Sequence, residues 1–64
     1  MSYANGERPA IGDYVKNKFE QPGTVTKIGL TPEGDYYVRV RWDDGGKELP
    51  FTRAKEFTLI SRKP

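Results

Sequence analysis

Two arginines, Arg39 and Arg41, stand two residues apart in the run YYVRVRW from Tyr36 to Trp42, with Tyr37 on the same parity. On an extended chain alternate residues share a face, and their stems emerge about 6–7 Å apart. Guanidinium forks bind phosphate bidentately and an adjacent tyrosine ring offers a stacking surface, so such a row can track the phosphates of a nucleic-acid strand. Lys16, Lys18 and Lys27 widen the row if their segments lie alongside it. A purely structural account competes. Arg41 is expected opposite Glu48, and alternating charge on an exposed strand face serves solubility and edge protection. Arg39 is expected to face Pro50, which does not neutralise it.

Other chemistry is poorly supplied. Histidine and cysteine are absent, and the only serines, Ser2 and Ser61, have no partnered base, so the chain is expected to be no enzyme and to carry no cofactor. Without cysteine there is no disulfide and no thiolate metal site. Asp43 and Asp44 are adjacent acids, but a turn accounts for them, and a calcium loop needs several further oxygen ligands at set spacing. Eleven basic and nine acidic side chains leave a formal charge of +2, which suits a mixed surface better than a dedicated polyanion binder. The placement of charge therefore carries the argument, not its sum. Met1 is followed by the polar run SYANGERP, unlike a secretory signal, and no apolar run approaches membrane-spanning length. A cytoplasmic location with no membrane partner is the expectation.

The elements that must position the arginine row are short strands. With 64 residues the chain has room for one domain, whose small core supplies roughly 3–5 kcal/mol. Residues 1–10, with Asn5-Gly6 and Pro9 and almost nothing to bury, are expected to form a flexible arm. Residues 11–61 form the domain and 62–64 a tail. GDYVKNKF alternates, with Val15 and Phe19 on one parity and Tyr14, Lys16 and Lys18 on the other, and predicts a first strand. Gln21-Pro22-Gly23 signals a turn, and the β-branched run GTVTKIGL a second strand. Val25 and Ile28 lie three apart, so both reach the core only across a bulge, for which Gly29 is the plausible site.

Thr31-Pro32-Glu33-Gly34-Asp35 predicts a hairpin. The following strand sets Tyr36, Val38, Val40 and Trp42 on the core face and Tyr37, Arg39 and Arg41 outward. A turn centred on Asp44-Gly45 would pair Val40 with Leu49 and Arg41 with Glu48, and Pro50 marks a short or edge fourth strand. TRAKE predicts one helical turn and FTLI the fifth strand. Trp42, Phe57 and Phe19 are expected to pack in the core. The fold class is thus all-β: a five-stranded, strongly bent sheet with one short helical turn before the last strand.

From Gly12 to Ile60 this order of elements resembles the SH3-like barrels, the Tudor and KOW groups above all. The resemblance rests on GDYV, GTVTKI and VRVRWDDGGKEL, within which Val38, Val40, Trp42, Asp43, Gly45, Glu48 and Leu49 match the Tudor pattern. It implies an SH3-like barrel. Ligand-binding Tudor domains carry an aromatic and an asparagine around the glycine; Asp44 and Gly46 stand here instead, so methylated side-chain recognition is not implied. LTPEG, Leu30 to Gly34, followed by Tyr37 and Val38, is similar to a hairpin of the plasmid type II dihydrofolate reductases, but their VQIY active-site signature is absent.

The leading expectation is a small non-catalytic binding module, monomeric or weakly dimeric. It would hold nucleic acid or a nucleic-acid-associated protein through Tyr37, Arg39, Arg41, Lys16, Lys18, Lys27 and Tyr14. The alternative is a protein–protein adaptor using the Tyr14/Tyr37 surface or an edge strand, self-associating by strand exchange. An oligomeric reductase-like enzyme is the remote third.

Overall fold

The computed structural model describes residues 2–46, 48 and 51–62. Five strands form one antiparallel sheet: β1 (Tyr14–Asn17), β2 (Pro22–Leu30), β3 (Tyr36–Trp42), β4 (Thr52–Arg53) and β5 (Phe57–Ser61), with a 3-10 turn at Ala54–Glu56 before the last. Their order across the sheet is β4-β3-β2-β1-β5. No hydrogen-bonded ladder joins the two outer strands among the described residues. No helix there is long and apolar enough to cross a membrane.

The alternation in β3 behaves as its period of two dictates. Val38, Val40 and Trp42 are buried and Tyr36 packs against them, while Tyr37, Arg39 and Arg41 take the other face. Val15, Val25, Ala54, Phe57 and Tyr3 complete the core, with Ile28 and Leu59 packed on its margin. The Trp42 and Phe57 rings meet at 6.2 Å between centroids. The bulge that lets Val25 and Ile28 share the inner face falls between Val25 and Lys27 and not at Gly29. The β2–β3 hairpin closes as its residues predict: Gly34 N–H donates to Thr31 O, Thr31 N–H donates to Asp35 O, and Gly34 sits at φ +89.

Three expectations are corrected. Phe19 is 72% exposed, because β1 stops at Asn17. The Asn17 carboxamide oxygen accepts from Phe19 N and Gln21 N, and Glu20 adopts φ 64, so the chain turns before the strand parity reaches Phe19. The predicted turn at Gln21-Pro22-Gly23 accordingly moves upstream, and Pro22 already pairs with Lys16.

The second correction concerns the register of β3 with β4. Val38 pairs with Thr52 and Tyr37 with Arg53, one residue out of step with the ladder a turn centred on Asp44-Gly45 would set. The tight turn spans Trp42 to Gly45, with Gly45 N–H donating to Trp42 O. Phe51, just before β4, is 45% exposed. The residues expected opposite Val40 and Arg39, Leu49 and Pro50, lie outside the described residues.

Arg41 has Thr24 as its cross-strand neighbour on the β2 side, and the Thr26 hydroxyl donates to Glu48 at 2.6 Å.

Third, the first ten residues do bury something. Tyr3 is only 3% exposed and Ala4 N–H donates to Phe57 O at 2.8 Å. The Asn5 side chain both donates to Leu59 O (3.2 Å) and accepts from Leu59 N (3.5 Å), copying a strand partner along the outer edge of β5. Asp13, 1% exposed, anchors this segment. Its carboxylate receives Tyr3 Oη at 2.7 Å, Ala10 N at 2.8 Å and Arg62 Nε at 2.9 Å. Burial pushes its pKa up, but these donors outweigh burial and hold it below the ordinary carboxylate value.

Candidate functional site

The ladder between β2 and β3 decides which basic residues meet. Lys27 is directly opposite Arg39, Gly29 opposite Tyr37, and Thr24 opposite Arg41. Opposite residues of an antiparallel pair share a face, so Lys27, Tyr37, Arg39 and Arg41 form one outward patch. Tyr14 lies opposite Thr24 on β1 and thus extends the row that contains Arg41.

The remaining expected residues contribute differently. Lys16 shares the outward parity of Tyr14 but is held by Glu20 at 2.7 Å. Lys18 sits in the turn after β1, its ammonium 5.5 Å from the Phe19 ring centroid, away from the β2–β3 ladder. The structure therefore gathers four of the seven residues tightly, attaches Tyr14 and Lys16 at one side, and leaves Lys18 apart.

Acidic groups shape the patch. Glu48 accepts the Thr26 hydroxyl, and that bond lowers its pKa against the opposing effect of burial, with the charges of Arg39, Lys27 and Arg41 adding to the lowering. One carboxylate thus serves three cations. Tyr14 donates to Asp43 Oδ2 at 2.5 Å, which raises the phenol pKa and takes up that carboxylate. Arg53 donates from Nε to Tyr37 Oη at 3.1 Å, so a further cation borders the patch and orients the tyrosine ring.

Sequence reasoning missed Phe51, Leu30 and Arg53. The Arg39 guanidinium lies 5.9 Å from the Phe51 ring centroid, within cation–π range. The buried Arg39 Nε has no hydrogen-bond partner among the described residues. Gly29, Leu30, Thr31, Tyr37 and Phe51 line an open groove of about 320 Å³ beside the basic patch. The signal for Phe51 was its distance from the turn: a one-residue change of register reverses the face on which it falls.

No protein-family model matches the chain, and no curated protein and no solved structure is significantly similar to it.

Proposed function

We propose that this chain is a small SH3-like barrel that works as a non-catalytic binding module, holding nucleic acid by its phosphates on the outer face of β2 and β3. The observation that carries the proposal is the direct opposition of Lys27 and Arg39. Like charges facing each other across a ladder destabilise a sheet, so a row made only for solubility would alternate in sign between strands as well as along them. Here two cations face each other, Arg41 follows on the same face, Arg53 borders it, and Glu48 is the acid whose charge reaches three of them. A phosphate chain supplies the missing negative charge at a spacing that fits alternate strand residues. The strand order supports the barrel, as does the contact of Trp42 with Phe57, which bridges the bent sheet between β3 and β5.

The proposal is tested by titrating short oligonucleotides at low and moderate salt against wild type and an Arg39→Ala/Arg41→Ala double variant. Phosphate contact gives a steep loss of affinity with salt, and the slope flattens in the variant by about the number of phosphates released. No binding by wild type at low salt removes the idea.

A protein–protein adaptor is favoured by one separate observation. Phe19, 72% exposed, borders a cleft of about 150 Å³ with Trp42, Phe57 and Lys18. A partner docked there would be retained at moderate salt and lost on Phe19→Ser.

A further inference from the structure

Phe51 and Leu30, 45% and 62% exposed, present apolar surface directly beside the cations of β3. The groove between them has Gly29 at its floor, close under the ring: a Cβ there would lie in van der Waals contact, 3.7 Å from Phe51 Cε1. Tyr37 forms another wall, its hydroxyl held by Arg53. The Arg39 guanidinium carbon lies 5.9 Å from the Phe51 ring centroid. An aromatic face with guanidinium groups on its border matches an aromatic base with a phosphate on each side, since the ring accepts the base and the cations accept the backbone. The acids at this border are Glu48 toward Arg39 and Lys27, and Asp35 and Glu56 toward Arg53. None of them lines the groove itself.

We infer that this groove is a stacking site for an unpaired nucleobase, so that the basic face takes single-stranded in preference to duplex nucleic acid. The inference rests on the phosphate-binding face argued above and adds the ligand class to it. Bases inside a duplex are stacked on one another and cannot enter a groove from the side, whereas those of a single strand can be splayed onto an aromatic platform.

The experiment uses fluorescence anisotropy with three labelled probes of equal length: an oligothymidylate, an abasic strand carrying the same phosphates, and a duplex. Oligothymidylate is expected to bind on the order of ten-fold more tightly than the abasic strand at one salt concentration, with the same salt slope. It should likewise exceed the duplex. Phe51→Leu should bring oligothymidylate down to the abasic level without changing the slope, and Phe51→Tyr, which keeps a ring, should restore it. Equal affinity for oligothymidylate and the abasic strand overturns the stacking site. So does Phe51→Leu binding oligothymidylate as well as wild type. In both cases a salt slope that still depends on Arg39 and Arg41 leaves the phosphate face standing. Failure of all three probes to bind at low salt removes both proposals, as does capture of a protein through Phe51 that is insensitive to salt. The comparison of the two single strands needs no variant and so holds even if Phe51→Leu does not fold.

Discussion

The hydroxyl of Tyr3 donates to the carboxylate of Asp13 at 2.7 Å, joining two buried side chains ten residues apart and fastening the N-terminal segment to the start of β1. Arg62 completes the arrangement from the other end of the domain, donating to both Asp13 oxygens and, from its second nitrogen, to Arg8 O. A single carboxylate therefore couples the two ends of the chain to the sheet.

Stability should fall at both extremes of pH. Asp13 is held below its ordinary value of 3.8, so its contribution is present above that value and is lost as pH falls through the lower folded pKa, where the native carboxylate must be protonated. Tyr3 shows the opposite sign. Burial first, then the hydrogen bond to Asp13, pushes its phenol above the ordinary 10.0, so stability falls once pH rises past that value and only the unfolded state has lost the proton. Asp13→Ala should cost about 2 kcal/mol near neutrality, the worth of hydrogen bonds to a buried charge, and should flatten the acid limb. Urea unfolding across the pH range reads both effects.

Gly23→Ala should be among the most damaging single-methyl additions. A Cβ at Gly23 would overlap Val40 Cγ1 and lie 2.8 Å from the Arg41 carbonyl oxygen, a backbone atom fixed in the ladder. Relief requires the β2–β3 pair to separate, at a cost of about 1–3 kcal/mol. Trp42→Ala, a large core deletion, should cost about 3–5 kcal/mol and leave the domain largely unfolded. Thermal melts of the two variants check the ranking; a stable Trp42→Ala would mean that the faces of β3 are reversed.

Glu48→Gln should strengthen oligonucleotide binding, on the order of two- to five-fold at low salt, with the gain fading as salt screens the patch. The substitution keeps an acceptor for the Thr26 hydroxyl and removes the one charge that opposes Arg39, Lys27 and Arg41 together. Weaker binding by the Gln variant would place the ligand elsewhere.

Asn5→Ala should cost about 1 kcal/mol through its two hydrogen bonds to Leu59 and should uncover the outer edge of β5. Light scattering should then show self-association that rises with concentration and is absent from wild type. Tyr3→Ala, which also empties a core position, should unfold most of the population.

The residues whose neighbours are local in sequence were readable without the structure. The alternation from Tyr36 to Trp42, the TPEGD hairpin and the short turn before β5 each follow from propensity and period within a few residues. What was not readable depends on distant partners or on a count of one. Tyr3 looks like part of a polar leader until Asp13 and Phe57 are brought to it. Phe19 was assigned by extending the parity of the first strand, which the side-chain carboxamide of Asn17 ends before that residue, and one extra residue between β3 and β4 shifted their register. The arginine row was visible from spacing, whereas the groove beside it required Phe51 on the outer face and Gly29 across from Tyr37.

The segment beside β5 also fixes how the molecule bears load. Its contacts advance in step with that strand: Ala4 to Phe57, Asn5 to Leu59, Arg8 to Arg62. The two stretches therefore run in the same direction, and tension applied to opposite ends of the chain pulls along the line of contact. Bonds arranged in that way share the force and must break together instead of peeling one after another. A domain with a core this small should thus resist stretching between its ends better than its thermal stability alone would suggest, with the Arg62–Asp13 pair sharing the load.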